Sequence, residues 1–211
     1  MTRRAATAAA TVTPEVCFDL WDRLPPDRFL TDDRRNPARA LAAGIVRKEV
    51  ARLGGSVSLL ELGPGPGFDY ADHFSAIVGL EYSALEGSKK LLAHCTQRFP
   101  QADFQLGGFH ALQRRQERSI DIVYAKAVFE HQANFQAPLR SFLRVAKSLA
   151  LINWYLPPGP TAQLRYNEQE RMHYNRYAAD DVLREITDAG FALEIRIAPP
   201  PGNALYICRR R

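Results

Sequence analysis

Residues Ser58-Leu59-Leu60-Glu61-Leu62 run without a break into Gly63-Pro64-Gly65-Pro66-Gly67, and this junction constrains the fold more than any other part of the chain. An apolar run of that length fits a buried strand. Glycine at three alternate positions lets the backbone turn tightly and approach a ligand closely. A helix opening just afterwards points its free N–H groups at that ligand. Strand, glycine turn and helix form the unit of open parallel sheets, which bind ligands beyond the carboxyl ends of their strands.

The rest of the chain supplies the alternation such a sheet needs. Residues 37–53 read as a helix, with Pro37 in the first turn and Gly54-Gly55 closing it. Val57–Leu62, Ala76–Glu81, Ala102–Leu106, Ser119–Tyr124 and Ser148–Tyr155 read as five strands, and Ala84–Arg98, Phe135–Lys147 and Ala179–Ala189 as helices. Phe191–Ile197 and Asn203–Cys208 flank Pro199-Pro200-Pro201-Gly202, which is too short for a crossover helix, so they pair as an antiparallel hairpin. The fold class is therefore α/β: a seven-stranded, mostly parallel sheet with helices on both faces and a C-terminal antiparallel hairpin. The chain's 211 residues suit one domain, read as 14–211 after a disordered tail over 1–13.

Composition removes several function classes. The 28 basic residues exceed the 23 acidic ones by five, and Arg3, Arg4, Arg209, Arg210 and Arg211 account for the whole excess. The body between those termini is electrically balanced, so no nucleic-acid partner is expected. No apolar run approaches the length of a membrane span. Three cysteines, Cys17, Cys95 and Cys208, at unrelated spacings form neither a disulfide framework nor a zinc site. The N-terminal stretch lacks the apolar core of a secretion signal, and the cytoplasm is the expected compartment.

The glycine turn fails the dinucleotide pattern GxGxxG, because Phe68 holds the sixth position. What stands instead, Glu61-x-Gly63-x-Gly65-x-Gly67, resembles motif I of the class I S-adenosylmethionine-dependent methyltransferases. Two further stretches extend the resemblance. Glu81 follows Gly63 by eighteen positions at the end of the second predicted strand, and Ser119-Ile120-Asp121-Ile122-Val123-Tyr124 through Phe129-Glu130-His131 is similar to the fourth-strand motif of the family's small-molecule branch. The resemblance covers about residues 37–208. It implies a Rossmann-like fold, S-adenosylmethionine as cofactor, and methyl transfer to the oxygen, nitrogen or carbon of a small-molecule acceptor.

It also implies site roles. Glu61, Gly63, Gly65 and Gly67 would form the cofactor turn. Glu81 would accept both ribose hydroxyls, a task suited to two carboxylate oxygens, and Tyr82 would lie against the adenine. Gly108, where the family usually has an acid, and Phe109 would border the adenine through backbone. Ala125 and Lys126 would flank the reacting centre, Lys126 either holding an acidic substrate or repelling the sulfonium. The Pro-Gly-Gly turn common before the fifth strand is replaced by Ala146-Lys147-Ser148.

Candidate residues each have a plainer reading. His131 is a candidate general base or a capping histidine beside the cofactor. Glu130 orients its helix or the end of the cofactor. Trp154, Tyr155, Tyr166, Tyr174 and Tyr177, with His173, form either a substrate wall, whose rings can also attract a cationic sulfonium, or loop packing. Residues 14–36, with Phe18, Trp21 and Phe29, and residues 157–177 are candidate lids on the substrate side. The motif [NDS]-P-P-[YF] of amino-methylating enzymes is absent after the fourth strand, which reads Ala125-Lys126-Ala127-Val128. Alternatives to a small-molecule methyltransferase are a non-catalytic binding or scaffold protein of the same fold, and a protein or RNA methyltransferase. A nicotinamide-dependent oxidoreductase is disfavoured by Phe68.

Overall fold

The computed structural model describes residues 20–24, 34, 36–198 and 203–211. The tail expected over 1–13, together with Cys17, Phe18, Phe29 and the 199–202 turn, lies outside them. Helix α1 spans Pro37–Leu53; the Asn36 side chain accepts from the Ala38 N–H at its start, and Gly54, at φ +70°, ends it. Strand β1 (Val57–Leu62) leads through the glycine turn into the short helix α2 (Phe68–Asp72). Then follow β2 (Leu80–Glu86), α3 (Lys89–Arg98), β3 (Asp103–Leu106), α4 (Phe109–Leu112) and β4 (Ile120–Lys126). Helix α5 (Gln136–Val145) passes directly into β5 (Ala146–Trp154). A small hairpin, β6 (Tyr166–Asn167) and β7 (Met172–His173), precedes α6 (Ala179–Asp188), β8 (Phe191–Ala198) and β9 (Asn203–Arg210).

Seven strands form one sheet in the order β3-β2-β1-β4-β5-β9-β8. The first five are mutually parallel; β9 runs antiparallel to β5 and to β8. The order reverses between β1 and β4, so a crevice opens beyond their carboxyl ends, where such sheets bind ligands. One face packs on α1 and Tyr70 of α2 through Ala42, Val46, Leu59, Phe74 and Leu151. The other packs on α4, α5 and α6 through Leu60, Val123, Phe142, Leu143 and Ile186. Fully buried side chains of that kind each contribute about 1.5–3 kcal/mol, which fixes the strand ends that carry the site.

The second strand corrects the sequence reading. It was expected over Ala76–Glu81 because Ala76-Ile77-Val78 is apolar, but Val78 is 93% exposed in a turn. Register decides the matter: Val57 lies opposite Leu80 and Leu62 opposite Leu85. Gly79, at φ +82°, makes the turn, and a Cβ there would stand 2.8 Å from the Gly55 carbonyl oxygen. Because β2 continues to Glu86, α3 starts at Lys89 rather than Ala84, capped by the Ser88 hydroxyl, which accepts from the Leu91 N–H.

Two arginines read as part of a basic tail are structural. Arg209 ion-pairs with buried Glu49 at 2.7 Å. Arg210 donates to the carbonyls of Leu143 and Ala146, at 3.0 and 2.6 Å. Those carbonyls belong to the abrupt α5–β5 junction, so the guanidinium satisfies backbone groups that the missing Pro-Gly-Gly turn would have had to place otherwise. Among the described residues no helix is long and apolar enough to cross a membrane.

Candidate functional site

Two cavities, of about 280 and 230 Å³, open beyond the carboxyl ends of β1, β2 and β4 and share Gly63, Val128 and Gln132. The glycine turn forms their common floor. Gly63, Gly65 and Gly67 all have positive φ, between +57° and +78°. A Cβ on Gly63 would lie 2.8 Å from Val128 Cγ2, and one on Gly67 would lie 2.8 Å from the Phe99 ring. Gly63 and Gly65 line the larger cavity; Gly67 supports the turn from behind, against Phe99 and Cys95.

Glu86 ends β2 at the edge of the larger cavity, buried to 4% exposure. Its carboxylate accepts from the Gly65 N–H at 3.0 Å and the Ser88 N–H at 2.8 Å. Burial pushes its pKa up to about 7, against the pull of those backbone donors. Glu86, not Glu81, is the acid that stands at the carboxyl end of this strand. Glu81 instead sits at the start of β2, exposed, at the opposite end of the sheet, where it accepts from the Ser56 hydroxyl. Tyr82 is displaced with it: its ring packs among Tyr70, Phe74 and Phe104 and its hydroxyl donates to Glu61 at 2.6 Å. The misplaced strand boundary hid Glu86 from the sequence reading; the signal that marks the true strand end is Ser88 as the cap of the following helix.

Glu61 lies beneath the turn and lines neither cavity. Burial, and next the charge of Asp69, push its pKa well above the usual carboxylate range. Asp69 does reach the larger cavity, paired with the guanidinium of Arg39 from α1, which also lines it. Among the described residues Asp69 Oδ1, though buried, has no hydrogen-bond partner. Neither Arg39 nor Asp69 was singled out from sequence, since thirty positions separate them and no local pattern links them.

The smaller cavity is bordered by Leu85, Gly87, Gly107, Gly108, Phe109 and Gln113, so Gly108 and Phe109, both named from sequence, line it. At β4, Ala125 is wholly buried in the core and lines neither cavity, a correction; Lys126, Ala127 and Val128 line the larger one. Ala127 has φ +49°, a left-handed conformation that turns the chain sharply around the cavity rim.

The 3₁₀ turn Phe129–His131 carries His131 into the larger cavity. His131 Nδ1 lies 2.8 Å from the His173 carbonyl oxygen. Its ring meets Trp21 and Tyr174 edge-on, with centroids 5.8 and 5.3 Å apart. Burial lowers its pKa, opposed by the His173 contact and by Glu170. Glu130 is buried, and its Oε1 accepts from the N–H groups of Tyr155 and Leu156, fixing where the chain leaves β5. Burial pushes the Glu130 pKa up to about 7.

The aromatic set divides. Trp21, Tyr155 and Tyr174 line the larger cavity. Trp154 is fully buried against Phe129, Tyr177 and Tyr206, and Tyr177 is buried with its hydroxyl donating to the Phe129 and Gln132 carbonyls; both belong to the core rather than to a substrate wall. Tyr166 packs against His173 within the β6–β7 hairpin, the two rings tilted at 52°. Of the two candidate lids, the N-terminal one contributes a helical turn over residues 20–23. Asp22 accepts there from the Ser88 hydroxyl, at 2.6 Å, and from the Lys90 N–H, at 3.2 Å. The other lid folds as the hairpin, tied to the site by Asn175, whose N–H donates to the Glu130 carbonyl at 2.9 Å.

Comparison with known proteins gives this arrangement structural counterparts. Residues 60–152 match the family described as a methyltransferase domain. No curated protein matches the chain. Among solved structures it is similar to magnesium protoporphyrin IX methyltransferase (ChlM) from Synechocystis PCC 6803 with bound SAM. The TM-score is 0.70 at 14% identity, over 96% of this chain and 100% of that one. It is similar also to 1,6-didemethyltoxoflavin-N1-methyltransferase from Burkholderia thailandensis, with a TM-score of 0.64 at 17% identity over 87% and 81% of the two chains. A third is Streptomyces venezuelae DesVI, with a TM-score of 0.59 at 18% identity over 82% and 92%. At these identities the likeness is one of fold. The matched segment and the sheet order together give this chain the Rossmann-like fold of the class I S-adenosylmethionine-dependent methyltransferases.

Proposed function

We propose that the protein binds S-adenosylmethionine across the two cavities and transfers its methyl group to a small-molecule acceptor. One observation carries the reading. A buried carboxylate, Glu86, is held by the Gly65 and Ser88 N–H groups at the end of β2, where two cavities meet over a glycine turn. A carboxylate so placed accepts two hydroxyl donors, which is what a ribose offers. The smaller cavity, walled by Leu85, Phe109 and the backbone of Gly87, Gly107 and Gly108, suits a flat adenine. At the far side, Arg39 and Asp69 present opposite charges to the ammonium and carboxylate of the amino-acid end, and the unpartnered Asp69 Oδ1 fits an ammonium donor.

Bound there, the cofactor supplies an electrophilic methyl group on a sulfonium. The chain supplies position and exclusion of water. Trp21, Tyr155 and Tyr174 wall the part of the larger cavity left to an acceptor, and an enclosure of that size admits a small molecule rather than a folded partner. The solved methyltransferases that share the fold include a 1,6-didemethyltoxoflavin-N1-methyltransferase and a magnesium protoporphyrin IX methyltransferase, both named for small molecules, which supports a small acceptor. The test is incubation with tritiated S-adenosylmethionine and a metabolite extract below 1 kDa (roughly, the size a cavity of this kind takes). Label moving into a small organic product, with S-adenosylhomocysteine accumulating, is the expected result. Tight cofactor binding with no labelled product would support the binding-protein alternative instead.

A further inference from the structure

We propose that the outer edge of β8 is an interface for a second copy of this chain, which pairs with it as an antiparallel strand across a two-fold axis through Ile195. The pairing involves no residue of the cofactor site.

Strand β8 closes one end of the sheet, and among the described residues no strand lies beyond it. In an antiparallel ladder the backbone groups of successive residues alternate between the two sides of the strand. The Arg211 N–H donates to the Gly190 carbonyl at 3.0 Å, and Phe191 lies opposite Arg210. Glu194 and Arg196 therefore turn their backbone groups to β9, and Leu193, Ile195 and Ile197 turn theirs outward. The side chains of the outward residues share the α6 face of the sheet. Ile195 lies opposite Tyr206 and Ile197 opposite Ala204, both part of the core on that side. Yet Ile195 is 49% exposed and Ile197 68%. The other face carries Glu194 and Arg196, ion-paired at 2.7 Å and both half-exposed.

Proteins blunt exposed strand edges with charge. Here the two charges are of opposite sign and two positions apart, and that pattern complements itself. A two-fold axis through Ile195 sets Glu194 of each copy opposite Arg196 of the other. Those sites are the non-hydrogen-bonded ones, where facing side chains come closest. The same axis pairs Ile195 with its own copy and Leu193 with Ile197, through the N–H and C=O groups that point outward. No neighbouring register does this. An axis through Glu194 or Arg196 sets like charges face to face. An axis through Leu193 leaves Glu194 opposite Ala192 and Arg196 opposite Gly190. An axis through Ile197 carries Glu194 to Pro200, past Pro199, which has no N–H to pair. Because the contact is isologous, it closes as a dimer and does not propagate. Strands β5 and β9 separate this edge from β4, so the cavities stay open in the dimer. A single strand edge buries less than the roughly 1,200–2,000 Å² of a standard interface, so the Kd belongs in the micromolar range.

Sedimentation velocity from about 1 to 500 µM brackets that range. The wild-type protein should pass from the 23.7 kDa of one chain to twice that mass. Arg196→Glu sets glutamates opposite each other, Glu194→Arg sets arginines opposite each other, and each should raise the dimer Kd about tenfold or more. An equimolar mixture of the two variants should associate again, because every facing pair is then Glu with Arg; variants that had merely lost their fold would not recover. In the wild type, deuterium exchange at the Leu193, Ile195 and Ile197 amides should slow as concentration rises, since the partner's carbonyls then hold those N–H groups. A monomer at every concentration would overturn the proposal. So would a dimer that both variants keep, a mixture that stays monomeric, or exchange at those amides that does not change with association.

Discussion

Replacing Glu86 by Gln separates the cofactor reading from the fold. Glutamine keeps one acceptor oxygen, so one of the two backbone donors, Gly65 N–H or Ser88 N–H, retains its partner. The fold should tolerate the change, because burial already disfavours the charge and holds the pKa at about 7. A melting temperature within about 3 °C of wild type, equivalent to roughly 1 kcal/mol, is expected. Cofactor binding should not tolerate it. A hydrogen bond to a charged group contributes about 1.5–3 kcal/mol, and glutamine loses at least one. At pH 8, where Glu86 is ionised, the Kd for S-adenosylhomocysteine should rise about 10- to 150-fold. The sign of the pH effect follows from the raised pKa. Ribose hydroxyls favour the ionised form, so wild-type affinity weakens as pH falls through 7. One unit below that, about a tenth of the free protein is ionised, and the gap between wild type and Glu86→Gln shrinks about tenfold. Calorimetry at pH 8 and pH 6 measures all of this, with Glu81→Gln as a companion expected to bind like wild type. A large loss in Glu81→Gln with none in Glu86→Gln, or a pH-independent gap, would refute the reasoning.

Other perturbations test other links. Gly63→Ala forces a Cβ to 2.8 Å from Val128 Cγ2 at φ +65°, so it should cost about 3 kcal/mol and lower the melting temperature by roughly 6–12 °C. Glu49 is drawn down to about pKa 2: burial opposes ionisation, but hydrogen bonds from Arg52, Ser148 and Arg209 prevail. Its stabilisation is therefore present above about pH 4.5 and lost as pH falls toward 2. Glu49→Gln should cost about 1–2 kcal/mol at pH 7, discounted because both arginines are half-exposed, and flatten urea-measured stability across that acid window. Trp154→Phe should destabilise by about 2 kcal/mol, with little effect on KM once folded, whereas Tyr155→Ala should leave the melting temperature within roughly 3 °C and raise the acceptor KM.

The sheet was readable in the sequence because its signals are local. Short apolar runs, glycine stops and a hairpin too tight for a helix specify the succession of strands and helices without distant information, whereas the spatial order of the strands comes from tertiary pairing. The glycine turn was legible from the same adjacency, while Gly108, Phe109, Lys126 and His131, which line the two cavities, were named through the resemblance. Glu86 did not, because an apolar turn at Ile77-Val78 imitates a strand and only the cross-strand register corrects it. Arg39 and Asp69 meet through tertiary packing of α1 over α2, which no spacing announces. Trp154 and Tyr155 were grouped as either a substrate wall or packing, and the structure splits them: Trp154, the last residue of β5, is buried in the core, and Tyr155, just beyond it, reaches the cavity.

The most direct test of the central claim is a crystal structure of the protein grown with S-adenosylhomocysteine. The account predicts the adenine between Leu85 and Phe109, the ribose hydroxyls on Glu86, and the amino-acid end between Arg39 and Asp69. Density for the ligand elsewhere, with both cavities filled by water alone, would contradict it.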